Sequence, residues 1–228
     1  MKERQKILEL IASNLTELNK GISQLGSRVE QAVDSAIHGL RNHDIMFCEM
    51  AISRDVEIDR AEIELEEHCL ALLCENRLPP SEIRNVVAIL KINNDLERIG
   101  DLAVNIAETT QRLINIERFR FVGSCDKIAR TAQAMLEESL KAFVQRDVYL
   151  ARTIISADDE VDRLQASMQR RLQQEIDRVP ENVGPLMQLD FITRQLERIG
   201  DMATNIAENV IYMVEGKIVR HSPIHHFH

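Results

Sequence analysis

Apolar residues recur along the first forty positions in steps of three and four: Ile7, Ile11, Leu15, Leu18, Ile22, Leu25, Val29, Val33, Ile37 and Leu40. That spacing keeps one face of a 3.6-residue helix apolar over about nine turns and predicts one long helix. Gly21 and Gly26 weaken it locally and predict a kink. Asn42-His43-Asp44 interrupts the pattern, with Asp44 as the N-cap of a second helix running to about Arg77. Leu78-Pro79-Pro80-Ser81 ends that helix, because proline forfeits a backbone donor and restricts the residue before it. A third helix is predicted from Ser81 to about Arg118, and the stretch near Phe121-Val122-Gly123-Ser124 reads as a link. Beyond it the plan repeats, with breaks near Gln145-Arg146-Asp147 and at Val179-Pro180.

The repetition extends to the residues themselves. Ile92–Glu108 and Ile192–Glu208 are identical at 12 of 17 positions, at an offset of 100, and share the run Leu-Glu-Arg-Ile-Gly-Asp. Upstream, Asp44, Asp55, Glu57, Asp59 and Arg60 recur as Asp147, Asp158, Glu160, Asp162 and Arg163, at an offset of 103. A tandem duplication with one connection of altered length accounts for both offsets. The expected fold is all-α: two pseudo-symmetric three-helix bundles, six long helices in all, over residues 1–119 and 120–228, with short connections making successive helices antiparallel.

Four acidic pairs stand at i, i+4: Asp55/Asp59, Glu97/Asp101, Asp158/Asp162 and Glu197/Asp201. This spacing puts both carboxylates of a pair on one helix face. One such pair is most often a solvated face, but their mutual placement says more. In an antiparallel hairpin, residues equidistant from the turn lie side by side. The first two pairs are centred on the Leu78-Pro79-Pro80 break and the last two on Val179-Pro180. Two acidic pairs are therefore expected at one level of each hairpin, where their repulsion calls for protonation, arginines or bound cations. Arg98 points about 100° away from Glu97 around the helix and neutralises it incompletely. The polar seam Asn94, Glu97, Asp101, Asn105, Glu108 lies nearly opposite Leu96, Ile99, Ala103 and Ile106, which predicts a surface or groove site. Oxygen ligands suit magnesium, manganese, calcium or iron.

Composition narrows the function classes. Of 228 residues, 44% are hydrophobic, enough for a core, while aromatics at 4%, 8 Gly and 5 Pro suit long helices. A net charge of −9 disfavours nucleic acid as a partner. No apolar run is long enough to span a bilayer, and the N-terminus lacks a signal-peptide core, so a soluble cytoplasmic protein is expected. Cys48, Cys69, Cys74 and Cys125 lack zinc or redox spacing and read as reduced, mostly buried thiols. No Ser/His/Asp or Cys/His triad, phosphate loop or Glu-x-x-His is present, so an enzyme is not expected. Met46, Met50, Met135, Met168 and Met187 read as core filler, His38, His43 and His68 carry no assigned role, and His221, His225, His226 and His228 read as a polar tail. Gly100 and Gly200 suggest close helix packing beside the acidic residues.

The two copies of Leu-Glu-Arg-Ile-Gly-Asp followed by Ala-x-Asn-Ile-Ala-Glu, the Asp-x-x-x-Asp of the preceding helices and Glu215-Gly216-Lys217 resemble the signature of the PhoU family over nearly the whole chain. The resemblance implies two three-helix bundles carrying surface metal clusters. By motif the ligands are Asp55, Asp59, Glu97 and Asp101 in one half, and Asp158, Asp162, Glu197 and Asp201 in the other. Glu108 and Glu208 would be possible extra ligands, with the Asn105 and Asn205 amides orienting them. It further implies iron, zinc, manganese or magnesium as the metal. The function implied is a homodimeric negative regulator of the phosphate-starvation response, an adaptor between the ATPase subunit of the phosphate ABC transporter and a sensor histidine kinase, peripheral to these membrane complexes. Many members carry His directly after the motif Asp, where this chain has Leu102 and Met202. A carboxylate-bridged metalloenzyme or metal store on the same sites is the alternative.

Overall fold

The computed structural model describes residues 2–74, 78–116 and 125–219, with 2–8 and 10 by backbone alone. The described residues are almost all helical, with no strand among them. The helices are α1 (Lys2–Asn42), α2 (Ile45–Ser53), α3 (Asp55–Cys74), α4 (Pro80–Ile114), α5 (Asp126–Gln145), α6 (Val148–Arg178) and α7 (Val183–Glu215), with a short 3-10 turn at Pro180–Asn182. Taken together, α2 and α3 are the second of six helical arms.

The α1 stripe from Ile11 to Ile37 is the face that enters the core. The helix continues unbroken through Gly21 and Gly26. Gly26 marks a close approach of α1 to α5, where an added Cβ would stand 2.8 Å from Leu140 Cδ2. The two turns out of α1 and α5 are built alike: His43 and Arg146 are left-handed at φ 53, followed by an aspartate cap. Asp44 accepts from the Met46 N–H at 2.9 Å, and Asp147 from those of Tyr149 and Leu150 at 2.9 and 3.0 Å. These bonds satisfy amides that a helix start leaves without partners.

The second arm departs from expectation by breaking at Arg54. The Ser53 hydroxyl donates to the Met50 carbonyl, the acceptor that the Arg54 N–H would use in an α-helix, and Arg54 turns to Ala51 instead. In α6 the equivalent Ser156 donates to Arg152, one residue earlier, and the helix runs on. α4 ends at Ile114, short of Arg118, which with the Phe121–Ser124 link and the histidine tail lies outside the described residues.

The core joins both halves. α4 packs on α1, α2 and α3, α7 packs on α5 and α6, and α4 and α7 lie against each other. Arg84 of α4 reaches Gly216 at the end of α7, and Lys91 Nζ sits 5.1 Å above the Tyr212 ring, so the two run antiparallel. Across the neighbouring α1–α5 seam, Arg41 pairs with Asp126 at 2.8 Å and Gln133 donates to Asp34 at 3.0 Å. Cys48, Cys69 and Cys125 are buried and Cys74 is exposed, all as free thiols. Met135 and Met168 are core residues as expected, but Met46, Met50 and Met187 are 62%, 41% and 64% exposed. In α2 the inward positions are taken by Cys48 and Ala51, and in α7 by Leu186 and Leu189.

Three glycines separate two physical causes. Gly216 has φ 71 and lies under the Arg84 guanidinium, so Gly216→Ala should destabilise the fold by about 1–2 kcal/mol. At Gly200 an added Cβ meets Val161 Cγ1 at an ordinary 3.4 Å, and Gly200→Ala should gain up to about 1 kcal/mol of helix propensity. The equivalent Gly100 is tighter, 3.2 Å from Ile58 Cγ2, and should gain less or lose. Urea denaturation of the three variants measures the order, which is Gly200→Ala above Gly100→Ala above Gly216→Ala.

Candidate metal centre

Register brings the acidic pairs together. In the first bundle Gly100 lets α4 close on Ile58 of α3, and the Asn93 amide donates to the Glu62 carbonyl at 2.9 Å. These two contacts set Asp55 and Asp59 level with Glu97 and Asp101. Gly200 against Val161 does the same for α6 and α7. The polar seam of α4 is its solvent edge: Asn94, Asp101 and Glu108 are exposed, while Glu97 and Asn105 are half-buried.

The carboxylates feel one another. Partial burial, then Asp59 and Asp101, push the Asp55 carboxyl above its usual range. Burial, then Asp101, Glu62 and Asp59, raise Glu97 against a smaller opposing pull from Arg98. Asp55 Oδ1 is buried without a hydrogen-bond donor. In the second bundle Asp162, Glu197 and Asp201 converge, with one oxygen from each within 4.8 Å of the others. Burial, then Asp162 and Asp158, raise Glu197, which Arg198 and Arg194 partly offset. Burial, then Glu197, Asp158 and Asp162, push Asp201 up to about 6. Asp158, the fourth expected residue, stands outside that triad and accepts the Thr204 hydroxyl at 3.2 Å.

Two contributors were not singled out from the sequence. Glu62 joins the first cluster and is itself raised by burial, Glu66 and Asp59. Its signal was spacing, since Asp55, Asp59 and Glu62 fall at i, i+4, i+7 on one face. Thr204 is the other. Its counterpart Val104 has no hydroxyl, which is why Asp55 keeps an unpaired oxygen where Asp158 does not. The Asn205 amide Nδ2 is directed at Met202 Sδ, 3.8 Å away. Glu108 approaches Arg112 at 3.9 Å. Leu102 is buried in the core and Met202 half-buried, so neither supplies an imidazole-like donor.

An all-carboxylate donor set with a buried, unpaired oxygen fits a hard or borderline cation. Without a cation, the cluster costs stability. A carboxyl whose folded-state pKa lies above its unfolded value binds a proton more readily in the native state, so stability falls as pH rises between the two values. For Asp201 that window runs from 3.8 to about 6. In chelator the melting temperature should fall as pH rises through it, and Asp201→Asn should flatten this slope and melt higher at pH 7. Differential scanning fluorimetry across pH 4–8 measures both, and parallel curves for the two proteins would show that Asp201 is not strained.

Comparison with known proteins agrees with this arrangement. A family model described as "PhoU domain" matches the chain twice, over residues 22–110 and 126–210. A Clostridium acetobutylicum protein named phosphate-specific transport system accessory protein PhoU homolog is 31% identical over 212 residues, covering 92% of this chain and 97% of its own. The Escherichia coli K12 protein named phosphate-specific transport system accessory protein PhoU is 28% identical over 209 residues, covering 92% and 87%. The crystal structure of PhoU from Pseudomonas aeruginosa superposes with a TM-score of 0.87 at 31% identity, covering 90% of this chain and 99% of that one. These relatives are named as accessory proteins, and none of the names is an enzyme's. With the domain matched in both halves and similarity running over nine-tenths of its length, the chain belongs to the PhoU family.

Proposed function

We propose that this protein is an accessory regulator of phosphate transport that holds the phosphate-starvation response off, linking the ATPase subunit of a phosphate ABC transporter to a sensor histidine kinase. It would act as a cytoplasmic homodimer, peripheral to the membrane complexes, and as an adaptor rather than an enzyme. Its two domains are residues 1–119 and 120–228. The names of the relatives support the transport association. Long helices with extended outer faces and an acidic surface support protein partners over nucleic acid.

Metal binding belongs to the same reading, and the convergence of Asp162, Glu197 and Asp201 carries it. These three with Asp158 would hold a cation in the second bundle, and Asp55, Asp59, Glu97 and Asp101 in the first. Iron, zinc, manganese and magnesium are the candidates, of which zinc fits an all-oxygen set least well. A bound cation would supply positive charge where like charges crowd and could take phosphate or a partner carboxylate as a further ligand. The metal-store or metalloenzyme alternative would show as uptake beyond a few ions per chain, or as redox turnover.

Two outcomes test the reading. A deletion strain should express phosphate-starvation genes in high phosphate, and purified protein should bind the transporter ATPase or the kinase's cytoplasmic region. Normal repression together with no binding would remove the adaptor role. Separately, metal should raise the melting temperature by mass action, about 2.7 kcal/mol of stabilisation at a hundredfold excess over Kd. Glu197→Gln/Asp201→Asn should lose the second-bundle share of that gain, and elemental analysis should find correspondingly less metal.

A further inference from the structure

Helix α3 is apolar on two opposite faces. Its inward row, Ile58, Leu65 and Leu72, is buried. Two residues back from each, about 200° around the helix, lie Val56, Ile63 and Leu70, which are 64%, 54% and 49% exposed. Single exposed apolar residues are ordinary. Three at intervals of seven are a seam, which drifts only about 20° per heptad and extends about 21 Å. Among the described residues nothing covers it.

The borders of the seam are mainly acidic, with Arg60 beside Val56 and Ile63 as the one arginine of the helix. α3 holds seven carboxylates. Glu66 flanks Ile63 on one side and Glu64 and Glu67 on the other. Among the described residues none of the seven is in an ion pair. The duplicated half provides a comparison within the molecule. The equivalent α6 positions are Asp159, Ala166 and Gln173, and over the stretch equivalent to α3, residues 158–177, α6 sets Arg163, Arg170 and Arg171 against six carboxylates. The same place in the fold is thus apolar and strongly acidic in one bundle, and more polar and less acidic in the other.

We propose that the outer face of α3 is a docking surface for a cationic amphipathic helix of another protein. The partner helix would lay apolar side chains along Val56, Ile63 and Leu70, with lysine or arginine on both flanks meeting the unpaired carboxylates. Charge complementarity selects this occupant. A second copy docking α3 on α3 would press the exposed Glu57, Glu64, Glu66 and Glu67 against their own copies, and an anionic membrane surface would be repelled in the same way. The proposal goes beyond the regulatory reading and uses no metal, so either can fail alone.

The probe is a synthetic helical peptide of about 21 residues, with leucine and isoleucine on one face and lysine on both flanks, titrated into the full chain in chelator. Binding should weaken about tenfold in Ile63→Ser/Leu70→Ser and again on raising salt from about 0.1 to 0.5 M. It should be unchanged in Met187→Ser, which removes an exposed apolar residue from α7. If the double variant fails to fold by circular dichroism, Glu64→Lys/Glu67→Lys replaces it and should abolish binding. Equal binding by wild type and variants would overturn the proposal, as would equal binding of a glutamate-flanked peptide. A sedimentation shift from dimer to monomer in Ile63→Ser/Leu70→Ser would assign the face to a second copy instead.

Discussion

Close packing of α3 on α4 and of α6 on α7 holds like-charged carboxylates together, and much of the molecule's behaviour follows from that constraint. At Gly100 the helices approach until an added Cβ would crowd Ile58, and at Gly200 they leave room for little more than a Cβ beside Val161. The aspartates beside those residues then have no room to separate. Arg98 and Arg198 oppose the repulsion only partly, because they stand to one side of the carboxylates on their own helix. Stabilising hydrophobic contact and destabilising electrostatics are thus built into the same few turns. A cation is the economical way to relieve such a site without loosening it.

The two clusters are related by duplication but are not the same chemical object. In the second bundle Thr204 donates to Asp158, and three other carboxylates converge tightly. In the first, Val104 stands in the threonine's place, Asp55 keeps an unpaired oxygen, and Glu62 adds a carboxylate where the second bundle has Gln165. The Arg54 break lies immediately before Asp55, so the backbone entering the first site differs as well. Duplication supplied one geometry, and local substitutions have given its copies different charge, hydrogen bonding and rigidity.

The antiparallel α4–α7 contact makes one body of two bundles. With α1, α2 and α3 on its other sides, α4 is buried along much of its length, including the polar Asn93, Asp95, Thr109 and Thr110. Away from its ends, Asn94, Arg98, Asp101 and Glu108 stay in solvent. The outer helices α3 and α6 are left with free outward faces, and on α3 that face is an acid-bordered apolar seam.

The sequence alone determined what depends on local chemistry and counting. Helical periodicity, the aspartate cap at Asp44, the breaks at Gln145-Arg146-Asp147 and at the prolines, and the mirrored acidic pairs were all legible, because each is a short-range rule written into spacing. The doubled Leu-Glu-Arg-Ile-Gly-Asp motif was enough to suggest the family. Tertiary structure alone decided which helix faces meet. No periodicity shows that α4 pairs with α7, that Gly26 admits Leu140, or that Met46, Met50 and Met187 face outward while Met135 and Met168 face in. Glu62 and Thr204 belong to the site because of the rotation and register of one helix against another, and the convergence of Asp162, Glu197 and Asp201 arises in the same way. Those are distances across space between residues about 30 to 45 apart in the chain, and they depend on packing that sequence spacing does not encode.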